Sequence, residues 1–428
     1  MKISRPLIPV LMTLVLLAVI ATLSAADGLR RGAGSQQVPV TAPTEVSKLV
    51  APYPMENEQF GLSVATSGRF IVVGAPGIVH DHSRMSDGSA HVFVRKGWGW
   101  VHQQVLVSAD EQDDESFGRS VAVAGDTIAV GTEHDSSFGR VYAGAVYVFI
   151  RTQHGWVQRQ KLLPDDLNQG DHFGHSLAIS GDTLVAGTWG AKKVYVYERD
   201  GEAWNLLQII RDSNPGSTAF GRRVSLHNNT LVIGAEQTDH SGFSSAGVAY
   251  VFKRKNSEFV RTHTLTALDA EDDDQFGGSV SVHGNTFVIG AQGDDHASDE
   301  NSGSAYVFTR VEDLVFRTDL VFRTKKLTPP TVRGWQQFGS SVAVSRDRIA
   351  VGAPGDDPLA LSGAGCGYEF KSVVGDWRYR DPVVSNDAAI GDHLGEVALH
   401  GYISVFGARQ ADHSGLENAG AAYVMLLP

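Results

Sequence analysis

A Phe-Gly dipeptide followed by a short β-branched run recurs along this chain. The copies are Phe60-Gly61, Phe117-Gly118, Phe173-Gly174, Phe220-Gly221, Phe276-Gly277 and Phe338-Gly339, with a degenerate seventh at Leu394-Gly395. They are spaced by 57, 56, 47, 56, 62 and 56 residues. A period of this length marks stacked copies of one supersecondary unit, each burying its apolar face only against its neighbours. Both irregular spacings have visible causes. The longest contains a tandem hexapeptide, Asp313 to Thr318 repeated as Asp319 to Thr324, and the shortest lacks most of one loop, where Gly187-Thr188-Trp189-Gly190 runs almost directly into Val194 to Tyr197.

Each period holds four strand-like runs, here called A to D. In the fifth copy they are Ser279–Val282, Thr286–Ala291, Gly303–Thr309 and a stretch ending near Leu327. Alternating apolar residues, β-branched enrichment and glycine-bearing turns predict strands throughout, with no helical period between them. Gly125-Asp126, Gly181-Asp182, Asn228-Asn229 and Gly284-Asn285 suit tight A–B hairpins that need positive φ. Strand D starts at an aromatic residue in most copies: Trp100, Trp156, Trp204, Phe259 and Trp377. An apolar residue lies eleven positions before every Phe-Gly, and the first of these, Leu49, belongs to a D strand that precedes the first A strand. The last copy ends after its C strand, Gly420–Met425. The N-terminal strand is therefore expected to complete the last blade and close an all-β, seven-bladed propeller of four-stranded antiparallel blades.

These motifs resemble the FG-GAP repeat family, whose best-known members include the head domain of integrin α chains. The fullest copy is Phe338-Gly339-Ser340-Ser341-Val342 followed by Val351-Gly352-Ala353-Pro354; Gly74-Ala75-Pro76, Gly234-Ala235 and Gly290-Ala291 are others. The resemblance covers about residues 45–428 and implies a seven-bladed propeller, the fold that the strand count reaches independently. Integrin heads carry Asp-rich calcium loops inside their A–B hairpins. Here those hairpins are short, as at Ser67-Gly68-Arg69 and His400-Gly401-Tyr402, so that calcium function is not carried over.

Residues 1–26 read as a secretory signal: Lys2 and Arg5, an apolar run from Leu7 to Leu23, then Ser24-Ala25-Ala26. An uncleaved signal-anchor is the alternative and would be the chain's one link to a membrane. Residues 27–44 read as a flexible lead-in, and 45–428 as a single propeller domain. The mature protein is thus expected to be secreted or to face the outside, as a monomer. A single cysteine among 428 residues rules out a disulfide-stapled scaffold, and a net charge of −12 argues against nucleic acid as a partner.

In a propeller the D–A and B–C loops emerge on one face, the A–B and C–D loops on the other. Most of the 48 acidic residues fall on the first set. Basic residues are expected at the C–D ends: Arg95-Lys96, Lys192-Lys193, Lys253-Arg254-Lys255 and Arg310. The B–C loops repeat an Asp-His pair at Asp81-His82, Asp239-His240, Asp295-His296 and Asp412-His413, and also carry Asp294, Asp356 and Asp357. These residues mark the expected ligand-binding face, although aspartates in such loops are equally ordinary turn formers. As cation ligands, Asp113, Asp114, Asp272, Asp273, Asp274, Asp294 and Asp295 would suit a hard divalent ion such as Ca²⁺; a transition metal on the histidines is the weaker alternative.

No nucleophile elbow, zinc-helix motif or phosphate loop is present. Cys366 reads as a packed thiol, His172, His175 and His393 lie beside Phe-Gly elements near the expected channel, and Asn228-Asn229-Thr230 is a glycosylation sequon. The leading expectation is a secreted or surface adhesion module holding an extracellular protein or glycan on its acidic face, with modest hydrophobic drive. An extracellular metal-dependent lyase or hydrolase built on the Asp/His loops is the alternative, and a surface-coat protein the third. How the duplicated hexapeptide is accommodated, by bulging outward or by slipping the strand register, is left open.

Overall fold

The computed structural model describes residues 44–77, 88–110, 116–212, 214, 219–296, 299–311 and 321–426. The signal-like segment and nearly all of the lead-in lie outside them, as do Asp81, His82, Asp113, Asp114 and the first hexapeptide copy. The described strands form seven four-stranded antiparallel sheets, each in the order A-B-C-D. The last sheet takes its D strand from Thr44–Leu49, which pairs with the C strand Ala421–Leu426. The expected ring closure is therefore present. Besides strands, the described residues hold two three-residue 3-10 turns, Ser137–Gly139 and Pro358–Ala360, and no helix long and apolar enough to cross a membrane.

The seven A strands line a central channel, and the repeated motif explains why they can approach so closely. Each Phe of Phe-Gly is at most 1% exposed and packs between blades. Phe117, for example, shares a cluster with Phe70, Val72 and Val92 of blade 1 and with Tyr147 and Phe149 of its own blade. Burying such a ring stabilises by about 2–3 kcal/mol, and the edge-on contact with Phe149 at 6.1 Å is of the favourable kind. The glycine of each strand-B Gly-Ala element faces the carbonyl of the next blade's Phe-Gly glycine. A Cβ on Gly74 would stand 2.0 Å from the Gly118 oxygen, and one on Gly407 would stand 2.0 Å from that of Gly61 across the closure. A serine two residues after the Phe-Gly glycine ties the same joint. The Oγ of Ser63, Ser120, Ser176 and Ser279 donates to the carbonyls of Gly118, Gly174, Gly221 and Gly339. At the rim, Gln104, Gln160 and Gln208 each bond both backbone groups of the next blade's D-strand aromatic.

Six of the C–D ladders carry a β-bulge, as at Val92/Phe93 in blade 1. The fifth, Ser304–Val311 against Val321–Leu327, runs without one. Its aromatic, Phe322 from the second hexapeptide copy, lies five residues before Leu327, whereas Trp100 lies six before Leu106. Dropping the bulge absorbs the missing residue, so Phe322 still pairs with Arg310 as Trp100 pairs with Arg95. The described part of the second copy thus keeps its aromatic in place by a one-residue change of register, and the first copy lies outside the described residues.

Gly131→Ala would put a methyl 2.1 Å from the Gly174 oxygen, so blade 2 or blade 3 must shift. We expect a loss of about 3 kcal/mol in urea unfolding. Gly99→Ala, at a site with no atom within 4 Å, should stay within about 0.5 kcal/mol. Equal losses would show that this approach does not limit stability.

Candidate functional site

Among the described residues the D–A loops lie across the B–C loops of the blades before them, held by backbone bonds such as Asp273 N–H to Ser244 O, Trp335 N–H to Glu300 O and, across the closure, Asn57 N–H to Glu417 O. The described loops thus share a common rim. Within it the expected acidic residues divide into three groups. Asp239, Asp295, Asp357 and Asp412 each accept, through Oδ1, the backbone N–H six residues onward, which closes the B–C loop. Glu58, Asp171, Asp274 and Asp392 accept the N–H three residues earlier and brace the D–A loop. Asp135, Asp294 and Asp356 are buried beneath the loops, where each accepts a tyrosine hydroxyl, from Tyr147, Tyr306 and Tyr368 respectively. Lys326 bridges Asp294 to Asp269 at 2.7 Å each, and Lys161 bridges Asp135 to Asp110 in the same way.

The histidines of the Asp-His pairs also have local partners: His240 with Ser241, His413 with Ser414, and His296 with Ser304 and the Gly303 carbonyl. Asp272 accepts from the Ser244 N–H at 2.7 Å, Asp273 is exposed, and burial, with the Asp294 charge adding to it, pushes Asp274 up to about 7 against its hydrogen bond from the Glu271 N–H. Among the described residues, no three or more His, Cys, Asp or Glu are grouped so as to hold a metal ion. Cys366 is buried, its thiol pushed up by burial and by Asp356. Asn228 is exposed on its hairpin turn. Lys192 and Lys193 correct the expected charge separation. Lys192 precedes strand C of blade 3 (Lys193–Asp200) and Lys193 opens it, so both lie at the B–C end on the loop-rim side, where Lys193 pairs with Asp166 at 3.0 Å. The shortened loop of that blade makes the boundary hard to place by spacing alone.

Sequence reasoning missed what crowns the rim. Tyr53, Phe138, Leu268, Trp335, Leu359 and Ile390 all sit on D–A or B–C loops and are between 61% and 88% exposed. Phe138, Trp335 and Leu359 moreover have φ of 58°, 64° and 58°, a left-handed conformation that is costly for bulky side chains. At the position of Trp335 other copies have Asn57, Gly170, Asp273 and Gly391, residues that tolerate it. That contrast was the available signal. The hydrophobic contribution of this face is accordingly larger than its acidity alone suggests.

Inside the rim, the residue after Phe-Gly and the residue after Gly-Ala (or its variant) meet at the channel mouth. In blade 2 these are Arg119 and Glu133, joined at 2.8 Å, and in blade 4 Arg222 and Glu236, joined at 2.5 Å. In blade 3 they are His175 and Trp189. Arg222 lies 5.0 Å over the Trp189 ring, and His172 flanks it at 5.3 Å. His175 Nδ1 lies 2.5 Å from Glu133 Oε2, and Arg223 Nη1 lies 3.2 Å from His175 Nε2. A carboxylate accepts and a guanidinium donates, so His175 is the neutral Nδ1–H tautomer. Burial, together with Arg223 and Arg119, holds its pKa down at about 4 against the opposing pull of Glu133. For Glu133, burial acts upward, but the His175 bond and the Arg119 charge outweigh it and bring the carboxyl to about 2.

A family model described as "FG-GAP repeat" matches residues 43–93, 100–149, 156–203, 210–252, 259–308 and 322–368, well over half of the chain. No curated protein sequence matches. Among solved structures, one chain of a mitotic checkpoint complex aligns with a TM-score of 0.54 at 12% identity, covering 92% of this chain and 98% of that one. A Bacteroides uniformis protein provisionally assigned as a 6-phosphogluconolactonase aligns with a TM-score of 0.50 at 11% identity, covering 79% and 89%. At such identities the likeness is one of fold alone.

Folding lowers the pKa of both His175 and Glu133, so the stability linked to them is complete above their unfolded values and is lost as pH falls. His175 acts between about 6.5 and 4, with up to roughly 3 kcal/mol at stake, and Glu133 acts below that. We expect the melting temperature to fall on acidification below pH 6.5, and His175→Gln to flatten the curve between pH 6.5 and 4. Superimposable curves for the two proteins would refute the assignment.

Proposed function

The chain belongs to the FG-GAP repeat family, and from that we propose that it is a secreted or surface-displayed module that holds an extracellular protein partner on its D–A/B–C rim. The FG-GAP propeller is a protein-interaction fold, and its repeats are typical of extracellular and cell-surface proteins. The observation that carries the reading is the set of bulky apolar side chains at the loop crests, three of them held in left-handed backbone. Among the described residues these side chains are left largely in solvent, and a partner that buries them would offset the cost of the backbone they sit on.

The surrounding charge defines the partner's chemistry. Asp239, Glu271, Asp272, Asp295, Asp412 and Glu417 are exposed on the same rim. A partner surface combining lysine or arginine with aromatic or aliphatic residues would be steered by the field and anchored by the crests. The signal-like N-terminus supports export. A glycan partner would draw on the same rim without needing its aliphatic crests.

A displayed library of random peptides panned against the intact protein tests this. Enriched sequences should carry Lys or Arg with aromatic residues, and their association should slow several-fold between 50 and 300 mM salt. Trp335→Ser combined with Leu359→Ser should weaken them at least tenfold at unchanged melting temperature. Enriched peptides indifferent to both salt and the double variant would overturn the proposal.

A further inference from the structure

Two blades lack the serine of the inner joint: blade 7 has Val397 at that position, and blade 4 replaces it with a charged group. In blade 4 the serine position is occupied by Arg223, whose Nε donates at 3.0 Å to the carbonyl of Gly278, one residue beyond the Phe-Gly glycine of the next blade. That bond turns the guanidinium into the channel, where Nη1 reaches His175 Nε2 and the Arg222 carbonyl, both at 3.2 Å. Unlike Arg119 and Arg222, Arg223 forms no salt bridge among the described residues. Arg223 borders two adjoining cavities. One, of about 220 Å³, is lined by A-strand residues from all seven blades; the other, of about 140 Å³, lies toward blades 5 to 7.

The smaller cavity holds a second guanidinium of this kind. Arg409 of blade 7 occupies the position of Glu133 and Glu236, and Glu396 that of Arg119 and Arg222, so the charges of the pair are reversed. Here, however, Arg409 and Glu396 form no salt bridge with each other or with any described residue. The remaining wall includes Gln337, Ser340 and His393. Burial, with the Arg409 charge adding to it, lowers the pKa of His393, which favours a neutral imidazole able to donate at one nitrogen and accept at the other. Holding a water takes on the order of 10–15 Å³ of such volume, so about 140 Å³ admits a ligand the size of one sugar ring.

We propose that this cavity is a binding site for a hydroxycarboxylate of monosaccharide size, such as a uronic acid. Arg223 and Arg409 take the carboxylate, while Glu396, Gln337, Ser340 and His393 exchange hydrogen bonds with the hydroxyl groups. Two guanidiniums that form no direct ion pair among the described residues select the carboxylate, because each gains a charge-assisted bond; Arg223 feels the Glu236 charge but does not contact it. A lone carboxylate among neutral amide and hydroxyl groups is suited to accepting from several sugar hydroxyls. The acidic rim does not bar an anion, since its exposed charges are screened over about 8 Å at physiological salt. A free sugar acid and the terminal uronate of a glycan offer the same chemistry.

Titration calorimetry on the intact protein with sodium galacturonate, galactose, inorganic phosphate and an oligogalacturonide tests the proposal. Galacturonate should bind saturably, and galactose and phosphate at least tenfold more weakly. Arg223→Ser, which installs the residue used in the neighbouring blades, and Arg409→Gln should each weaken galacturonate at least tenfold at unchanged melting temperature. If the oligomer binds as the monomer does, the source is a chain end; if it does not bind, the source is the free acid. Absence of galacturonate binding, equal binding of phosphate, or an Arg223→Ser protein that binds as wild type would each overturn the site.

Discussion

Seven times around the ring, a strand-B glycine lets its blade close against the Phe-Gly carbonyl of the next, with no side chain between them. Every other feature of the fold follows from that approach. It brings the serine hydroxyl within reach of the same carbonyl, seats each Phe between two blades, and lays the described D–A loops across the preceding B–C loops. Any larger residue would hold the blades apart and cost all three contacts together. The degenerate seventh copy illustrates the priority: the ring tolerates Leu394 in place of Phe, yet Gly395 is retained.

Acidic residues serve this molecule in two ways. Buried ones such as Asp135 and Asp294 are satisfied by a tyrosine hydroxyl and a lysine, so they act as internal joints. The loop-closing aspartates bond to backbone with one oxygen while remaining exposed or partly so, and continue to contribute to the external field. A repeat that copies its loops also copies this chemistry, which is why the Asp-His pairs recur without converging on one point. Departures from the repeat mark individuality: Trp335 in place of Asn or Gly, Arg223 in place of Ser, and Glu396 with Arg409 in reversed order.

The blade count, the strand order and the closure were legible because period, alternation and turn chemistry all agree on them. Three things were not. The boundary at Lys192-Lys193 was misjudged because a shortened loop removes the spacing that locates strand C. The missing bulge in blade 5 depends on how two strands align across space, which composition along one strand does not reveal. The exposed crests escaped notice because apolar residues in a sequence read as core, whereas Phe138 and Leu359 stand in solvent on left-handed loop backbone.

Completing the last blade with Thr44–Leu49 also imposes a schedule. The strand made first has as its partner Ala421–Leu426, the strand made last. At 5–20 residues per second of synthesis, roughly 20 to 80 s separate the two. Through that interval the strand lacks its ladder partner, and of the cluster around Leu49 only the blade 1 residues, Phe60, Ile71 and Val73 among them, have been made. Nascent chains close together could lend each other the missing edge, so the joint that seals a single ring is also the place where two rings could become interlinked.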